Sequence, residues 1–197
     1  MRAARYHGVR DVRIEELPDP TPQAGEVLVK VAHNGICGSD LHEYYSAPTF
    51  IPVQPHPLTG ISVPVVLGHE FAGTVVDVGD GVDPGPVGTN AALRPTYSCG
   101  TCPACTRGLR NICRQLAFHG LSAPGGGLFE FTTVPAGHVH PLPDSVSLEL
   151  GALVEPMAVI GLWFALKSLG HERVLVSETD GFHDLRAGRK MKIHVDL

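Results

Sequence analysis

Hydrophobic and polar positions alternate in short runs along the first 150 residues. Residues 9–17 alternate between apolar and polar, residues 26–33 are apolar and β-branched, and two further β-rich runs occupy residues 63–79 and 127–142. Stretches rich in glycine and proline, such as PDPTPQAG, separate these runs. Because a period of two is typical of half-buried strands, the pattern predicts a small all-β barrel.

The pattern changes near Leu148. Residues 148–170 are helix formers without alternation, and from Met157 onwards they are apolar on nearly every side, as in a buried helix. Residues 171–180 indicate a buried strand ending in acids, and residues 181–197 a short amphipathic helix followed by an alternating strand. These pieces are α/β in character, but a complete βαβ unit needs roughly 30 residues or more. We therefore expect an incomplete α/β part after the β domain.

Composition and charge exclude several classes of protein. The 197 residues carry 15 Lys and Arg against 20 Asp and Glu, a formal charge of −5, so no basic surface for nucleic acid is expected. The most apolar stretch is interrupted by Glu155, Pro156 and Lys167, which argues against a membrane span. The first residues, MRAARYHGVRDVRIEE, lack the apolar segment of a signal peptide, so we expect a cytoplasmic protein.

Four of the five cysteines lie within fifteen consecutive residues. Cys99, Cys102, Cys105 and Cys113 have the spacing C-x2-C-x2-C-x7-C, which suits a closed tetrahedral site for structural zinc. Disulfide bonds and an iron–sulfur cluster are the alternatives. A reducing compartment argues against disulfides, and the lack of a redox-partner motif argues against a cluster.

A second candidate metal site is dispersed along the chain. Cys37 lies in GICGSDLH, His69 and Glu70 lie in LGHEFAG, and Glu155 lies in ALVEP. One cysteine, one histidine and one carboxylate suit zinc and leave a fourth position open for catalysis. Taken singly, an isolated cysteine is more often a small core residue, and a lone histidine is more often hydrogen-bonded within the fold.

The residues after Cys37 favour the catalytic interpretation. A hydroxyl at Ser39 can pass a proton outwards, and an imidazole at His42 can receive it. Asp40 is placed to orient a histidine ligand. The alternative is that Ser39 and Asp40 cap a short helix, and both interpretations can hold together. GGG at 125–127 neither follows a strand nor opens a helix as G-x-G-x-x-G, so we interpret it as a turn.

Together these motifs resemble a known family. GHEFAGTVVDVGDGV, CGSDLH, the four-cysteine lobe and ALVEP are similar to the zinc-dependent medium-chain alcohol and polyol dehydrogenases. The proline-rich segment at 43–64, which we expect to be an ordered surface loop, most resembles the butanediol dehydrogenase branch of that family. The resemblance implies a mainly β fold: a GroES-like barrel catalytic domain with a zinc-binding lobe, plus a truncated remnant of a Rossmann α/β domain.

The resemblance also implies two zinc ions per chain, one catalytic and one structural, and NAD(H). Cys37 and His69 would bind the catalytic zinc, with Glu155 as the third ligand and Glu70 as the alternative. Ser39 and His42 resemble the proton relay. The four cysteines of the lobe would hold the structural zinc: Cys99, Cys102, Cys105 and Cys113.

The chain departs from the family in its cofactor domain. Residues 160–180 resemble a helix and the second strand of that domain, whose terminal acid, Glu178, would hold the adenosine ribose. The first strand and its glycine-rich turn are missing before them, so binding of NAD(H) is in doubt. We expect a catalytic domain at 1–156 with its lobe at 95–115, a remnant of the dinucleotide-binding domain at 157–180, and a helix and strand at 181–197 that return to the catalytic domain.

The function implied by the resemblance is interconversion of a secondary alcohol or vicinal diol with a ketone or acyloin, using NAD(H). The alternative is a non-catalytic, zinc-stabilised fragment that binds zinc but not the cofactor. A zinc hydrolase with Glu70 as base is a third class, in which Ser39 and His42 would have no evident use. Because little remains to cover the apolar helix that begins at Met157, we also expect a homo-oligomer.

Overall fold

Strands dominate the part of the chain that the computed structural model describes, which is residues 1–46, 48–168 and 193–196. These residues contain eleven strands and three α-helices. The strands are β1 Arg2–Gly8, β2 Asp11–Glu16, β3 Glu26–Ile36, β4 Val65–Val66, β5 Glu70–Val78, β6 Asn90–Leu93, β7 Thr96–Tyr97, β8 Ala117–Phe118, β9 Phe131–Pro135, β10 Val139–Pro141 and β11 Ile193–Asp196. The helices are α1 Gly38–Tyr45, α2 Leu148–Gly151 and α3 Val154–Ser168.

Three sheets organise these strands. The largest has the order β10-β6-β5-β3-β11, with β9 also paired to β3. A second sheet has the order β2-β1-β4, and β7 pairs with β8 in a small two-stranded sheet. All the pairings between these strands are antiparallel. The mainly β fold expected from the alternating pattern is therefore confirmed.

Strand β3 is the centre of the largest sheet. Its alternation buries Val27, Val29 and Val31 on one face, where they form an apolar cluster with Phe71 of β5 and with other apolar side chains of the sheet. On the other face Lys30 is exposed. Neighbouring β5 approaches so closely that a Cβ at Gly73 would lie 2.2 Å from the carbonyl oxygen of Lys30. Only glycine permits this approach of the two backbones.

A second apolar cluster lies under the smaller sheet. Tyr6 of β1 is fully buried there against Ile51, Val65, Leu67 and Leu121. Ile51 comes from the proline-rich segment, whose remaining residues from 48 to 64 contain no helix or strand. The expected ordered loop is thus anchored to the core by an apolar side chain. Its first residues, however, belong to α1, because that helix continues to Tyr45.

Strand β1 was missing from the sequence prediction, because RAARYHG carries charged residues at several positions and shows no clean alternation. The strand predicted at 9–17 is shorter in the structure, Asp11–Glu16, because Val9 and Arg10 form the turn that joins it to β1. Arg10 adopts a φ of 57°, in the left-handed region. The run at 63–79 is divided into β4 and β5 by Gly68, which has a φ of 101°.

Helices α2 and α3 confirm the change of pattern near Leu148. Side chains at the start of α3 are exposed, with Met157 at 57% and Val159 at 52%. None of the helices in the described part of the chain is long and apolar enough to span a bilayer. The end of the helix expected at 170, the elements expected between 171 and 190 and the expected ribose-binding Glu178 lie outside the described residues.

Candidate metal centres and active site

The four cysteines of the lobe come together around one point. Two single turns of 3-10 helix, Cys105–Arg107 and Arg110–Ile112, fold the chain back on itself. All four sulfur atoms lie within 4.8 Å of one another, and those of Cys99 and Cys113 are 3.5 Å apart. This is far longer than a disulfide bond of about 2.05 Å, and all the cysteines are free thiols. Bonds from zinc to sulfur of about 2.3 Å imply sulfur separations of about 3.8 Å, so the four thiols fit tetrahedral zinc.

Backbone N–H groups of the lobe point at its sulfur atoms. The N–H of Cys99 donates to the sulfur of Cys113 at 3.3 Å, and the N–H of Cys102 donates to the sulfur of Cys99 at 3.4 Å. Backbone donors at Arg114 and Cys105 lower the pKa of Cys102 to about 6. Burial and the neighbouring thiols raise the pKa of Cys105 to about 11. Donors arranged in this way stabilise thiolates, the form of cysteine that binds zinc.

The second group of ligands assembles at one end of strands β3 and β5. Cys37 directly follows β3, and His69 directly precedes β5. The antiparallel register pairs Gly35 with Glu70, which brings the two segments side by side. Ligand atoms of Cys37, His69 and Glu70 consequently lie within 4.8 Å of one another. The structure thus brings Cys37 together with His69 and Glu70, which lie more than thirty positions further along the sequence.

Asp40 lies between the two halves of this site. Its Oδ2 accepts a hydrogen bond from the backbone N–H of Cys37 at 2.9 Å, and its Oδ1 is 3.6 Å from Nδ1 of His69. Burial raises the pKa of Asp40, and the positive charge of His69 opposes this. Burial also opposes the charged form of His69, but its hydrogen bond with Cys37 and the carboxylate of Asp40 raise its pKa to about 10. Asp40 thus lies beside Nδ1 of His69, whereas Nε2 lies 3.2 Å from Oγ of Ser39.

Helix α1 carries the two residues of the expected proton relay. Ser39 is buried, and its Oγ lies 3.2 Å from Nε2 of His69, next to the position that a metal would occupy. His42 is three residues further along the helix, on the same side, and is exposed. A hydroxyl inside the site and an imidazole at its surface have the order that a relay needs.

Glu155 and Glu178 are the two remaining residues of the expected site. Glu155, the second residue of α3, is partly buried and outside the group formed by Cys37, His69 and Glu70, although its charge contributes to raising the pKa of His69. Glu178, expected to bind the ribose, lies outside the described residues.

Sequence reasoning missed a buried histidine behind the site. His119 is 1% exposed; its Nδ1 lies 3.2 Å from the hydroxyl of Tyr97, and its Nε2 lies 3.0 Å from Oγ1 of Thr132. Its ring also packs against Phe71, which directly follows Glu70. Burial lowers the pKa of His119 to about 3, so the ring is neutral. The GGG turn was the available signal, because a Cβ at Gly125 would lie 2.6 Å from this ring.

A family model for the alcohol dehydrogenase GroES-like domain matches residues 23–144, which is more than half of the chain. The chain therefore belongs to this family, and the resemblance found in the sequence is confirmed. Among curated proteins it is similar to the (R,R)-butanediol dehydrogenase of Bacillus subtilis, with 46% identity over 160 residues, which are 81% of this chain and 45% of that protein.

Solved structures agree with this relationship. A crystal structure of 2R,3R-butanediol dehydrogenase from Bacillus subtilis superposes with a TM-score of 0.74 at 46% identity, covering 80% of this chain and 45% of that one. An Escherichia coli alcohol dehydrogenase in complex with NADH gives a TM-score of 0.70 at 37% identity, covering 82% and 44%. The chain thus spans somewhat less than half the length of the relatives it matches.

Proposed function

We propose that the chain is the zinc-binding catalytic part of an NAD(H)-dependent oxidoreductase that interconverts a secondary alcohol or vicinal diol with a ketone or acyloin. The observation that carries this proposal is the convergence of Cys37, His69 and Glu70 beside Ser39. The similarity to butanediol dehydrogenases supports a small diol or acyloin as substrate.

Zinc bound by Cys37 and His69, with Glu155 or Glu70 as the third protein ligand, would supply a Lewis acid that polarises the substrate oxygen. Asp40 holds the imidazole of His69 in place, and its hydrogen bond to the backbone of Cys37 fixes the other ligand. Buried Ser39 would accept the proton of the substrate hydroxyl, and exposed His42 would release it to water.

Nicotinamide would accept the hydride, and that chemistry belongs to the cofactor. Glu178 is the residue of this chain that we propose for the ribose. The 197-residue sequence contains no G-x-G-x-x-G, the motif that brings a pyrophosphate to a helix N-terminus. We therefore expect the catalytic part to need a nucleotide-binding domain for turnover.

The lobe at 95–115 is proposed to bind the second zinc through Cys99, Cys102, Cys105 and Cys113, with a structural role because four protein ligands leave no open position. We propose a catalytic domain at 1–156, a remnant of the dinucleotide-binding domain at 157–180, and a segment at 181–197 that returns to the catalytic domain. The antiparallel pairing of β11 with β3 supports that return.

Assembly into a homo-oligomer is proposed from the apolar surface of α2 and α3. Leu150, Val154, Met157 and Ile160 are between 42% and 57% exposed and recur at helical spacing. Clustered apolar exposure of this kind favours association with another protein surface. We propose a cytoplasmic location, because a cluster of free thiols that can bind zinc is typical of a reducing compartment.

The substrate half of the proposal is tested on the chain itself. Cobalt in place of zinc reports its ligands through its visible spectrum, so the cobalt-loaded chain is titrated with (R,R)-butane-2,3-diol. We expect a saturable change that Cys37→Ser abolishes and that Cys102→Ala leaves in place. A spectrum that the diol does not alter would contradict diol binding at the mixed-ligand site, the group formed by Cys37, His69 and Glu70.

The cofactor half is tested by NADH formation from butane-2,3-diol, measured together with the mass of the chain in solution. We expect no turnover by the 197-residue chain alone. Zinc-dependent turnover that His69→Ala abolishes would show that the chain does not need a further nucleotide-binding domain.

A non-catalytic, zinc-stabilised fragment is the second candidate. It is favoured by the absence of G-x-G-x-x-G from the 197 residues. A titration with NADH, followed by nicotinamide fluorescence, separates the candidates. Saturable binding supports an enzyme, and its absence together with an unchanged cobalt spectrum on addition of diol supports the fragment.

A further inference from the structure

A cavity of about 470 Å³ lies between the cysteine lobe and the main sheet, and none of the residues that line it belongs to the ligand group of Cys37, His69 and Glu70. One wall comes from the residues that follow β6, including Arg94 and Thr96, and from His138 just before β10. The opposite wall comes from the lobe, including Ser98, Arg110 and Asn111. Residues of both the lobe and the sheet are therefore needed to form the cavity.

The lining of this cavity is positively charged. Arg94 and Arg110, both exposed, are among its lining residues, and none of those residues carries a carboxylate. Neither guanidinium forms an ion pair with any acid among residues 1–46, 48–168 and 193–196. Glu26 is the acid whose negative charge acts on Tyr97, another residue of the lining. One carboxylate oxygen of Glu26 accepts a hydrogen bond from the backbone N–H of Gln23 at 3.0 Å.

Two arginines that have no acidic partner among the described residues, together with hydroxyl and amide side chains in the same lining, suit an oxyanion. Arginine presents a planar fork of donors that matches the oxygens of a phosphate or carboxylate. Thr96, Ser98 and Asn111 add neutral donors on both walls. The volume is in the range of small-molecule pockets and exceeds that of a bare phosphate ion.

We propose that this cavity binds a small organic phosphate, at a site separate from the one proposed for the alcohol. The anion bridges Arg94 on the sheet side and Arg110 on the lobe side. Because the lobe wall keeps its place only while the four cysteines hold together, binding depends on an intact lobe.

The test is isothermal titration of the zinc-loaded chain with glycerol 3-phosphate, with glycerol as the neutral control. Inorganic phosphate and glycerate are the other arms, which distinguish free phosphate and a carboxylate from an organic phosphate. We expect saturable binding of glycerol 3-phosphate, weaker binding of the other anions and none of glycerol. Stronger binding of inorganic phosphate or glycerate than of glycerol 3-phosphate would overturn the proposed class of ligand.

Single arginine variants test whether the anion binds in this cavity. Arg94→Ala and Arg110→Ala should each weaken binding about tenfold, the loss expected for one charge-assisted contact. Arg107→Ala is the matched control, because it removes the same charge from the lobe but lies outside the cavity lining. Equal weakening in all three variants would mean nonspecific attraction and would overturn the proposal. Binding that survives Arg94→Ala and is lost in His69→Ala would assign the anion to the mixed-ligand site instead.

Circular dichroism and zinc content establish that each variant is folded. Because Arg94 and Arg110 are both exposed, neither replacement should unfold the chain, and each provides a test without the other. Cys102→Ala should abolish anion binding by releasing the lobe wall. Full binding by Cys102→Ala would contradict the dependence on the lobe.

Discussion

The cysteine lobe and the mixed-ligand site differ in how far apart their ligands lie in the sequence. The lobe draws all four thiols from fifteen consecutive residues, and single helical turns fold them around one point. The mixed-ligand site joins Cys37 to His69 and Glu70, and only the antiparallel register of β3 with β5 brings them together. The lobe therefore depends on local chain geometry and bound metal, whereas the mixed-ligand site depends on the sheet.

This difference predicts that the two sites fail independently. A local metal site supplies the folding free energy of its own segment, and the segment loses its structure without metal. A site built on paired strands keeps its framework without metal, because the apolar cluster of Val27, Val29, Phe71 and their neighbours holds the strands.

Removing one thiol of the lobe should have the largest effect. Zinc contributes about 10 kcal/mol or more to the folding of small zinc-binding peptides, so Cys102→Ala should unfold the lobe while the main sheet persists. Hydrogen exchange measures this directly: we expect amides at 96–113 to lose protection and those of β3 and β5 to keep it. Cys37→Ser is the control and should leave the lobe protected. Loss of protection throughout the sheet would show that the two regions are not independent.

Gly73→Ala should disturb the main sheet, and with it the mixed-ligand site, while the lobe stays intact. The added Cβ would lie 2.2 Å from the carbonyl oxygen of Lys30, so β3 and β5 must separate, at a cost of about 2 kcal/mol. Urea unfolding should show this loss, and zinc should remain in the lobe but bind more weakly at the mixed-ligand site. Gly137→Ala, where no atom lies within 4 Å, is the matched control. An unchanged unfolding midpoint in Gly73→Ala would contradict the close strand pairing.

Asp40→Asn should weaken metal binding at one site alone. Its carboxylate contacts both the backbone of Cys37 and the ring of His69, and loss of such an orienting group lowers metal affinity about 10- to 100-fold. Competition with a chromophoric chelator measures the two affinities separately. Asp83→Asn removes an exposed carboxylate and serves as the control. Equal weakening at the lobe would refute the assignment of Asp40 to the mixed-ligand site.

The smallest effect is expected at the start of α2. Ser147 accepts a hydrogen bond from the N–H of Leu150 at 3.2 Å, and loss of such a cap costs about 1 kcal/mol. Ser147→Ala should lower the free energy of unfolding by that amount in a urea titration, with both metal sites still loaded. Weaker metal binding at the mixed-ligand site in this variant would show that α2 helps to place Glu155.

The contrast between the sites also explains what the sequence could predict. The spacing of the four cysteines specifies a local cluster, so their convergence could be predicted without knowledge of the fold. Cys37, His69 and a carboxylate could be grouped from the sequence only by ligand type and by the residues that follow Cys37, because their convergence depends on the register of two strands. The family resemblance put Glu155 before Glu70 as the third ligand, and the ligand group of the structure contains Glu70.

Two other features could not be predicted from sequence patterns: the burial of His119 and the close packing at Gly127. His119 is buried by contacts with distant segments, and the nearby GGG turn did not by itself identify it as a buried residue. The GGG segment was interpreted as a turn, and Gly125 does have a φ of 80°. Gly127, however, is needed for close packing, since a Cβ there would lie 2.1 Å from Oδ1 of Asn34. Contacts of this kind form between distant segments, which periodicity within one segment does not report.

The zinc content of the purified chain and of two single variants tests the central claim most directly. Two independent sites predict close to two zinc ions per chain, falling to one in Cys37→Ser and to one in Cys102→Ala. The remaining ion should have a mixed-ligand cobalt spectrum in Cys102→Ala and a thiolate-rich spectrum in Cys37→Ser. A single zinc per chain that survives Cys37→Ser unchanged would contradict the mixed-ligand site, and with it the proposed chemistry.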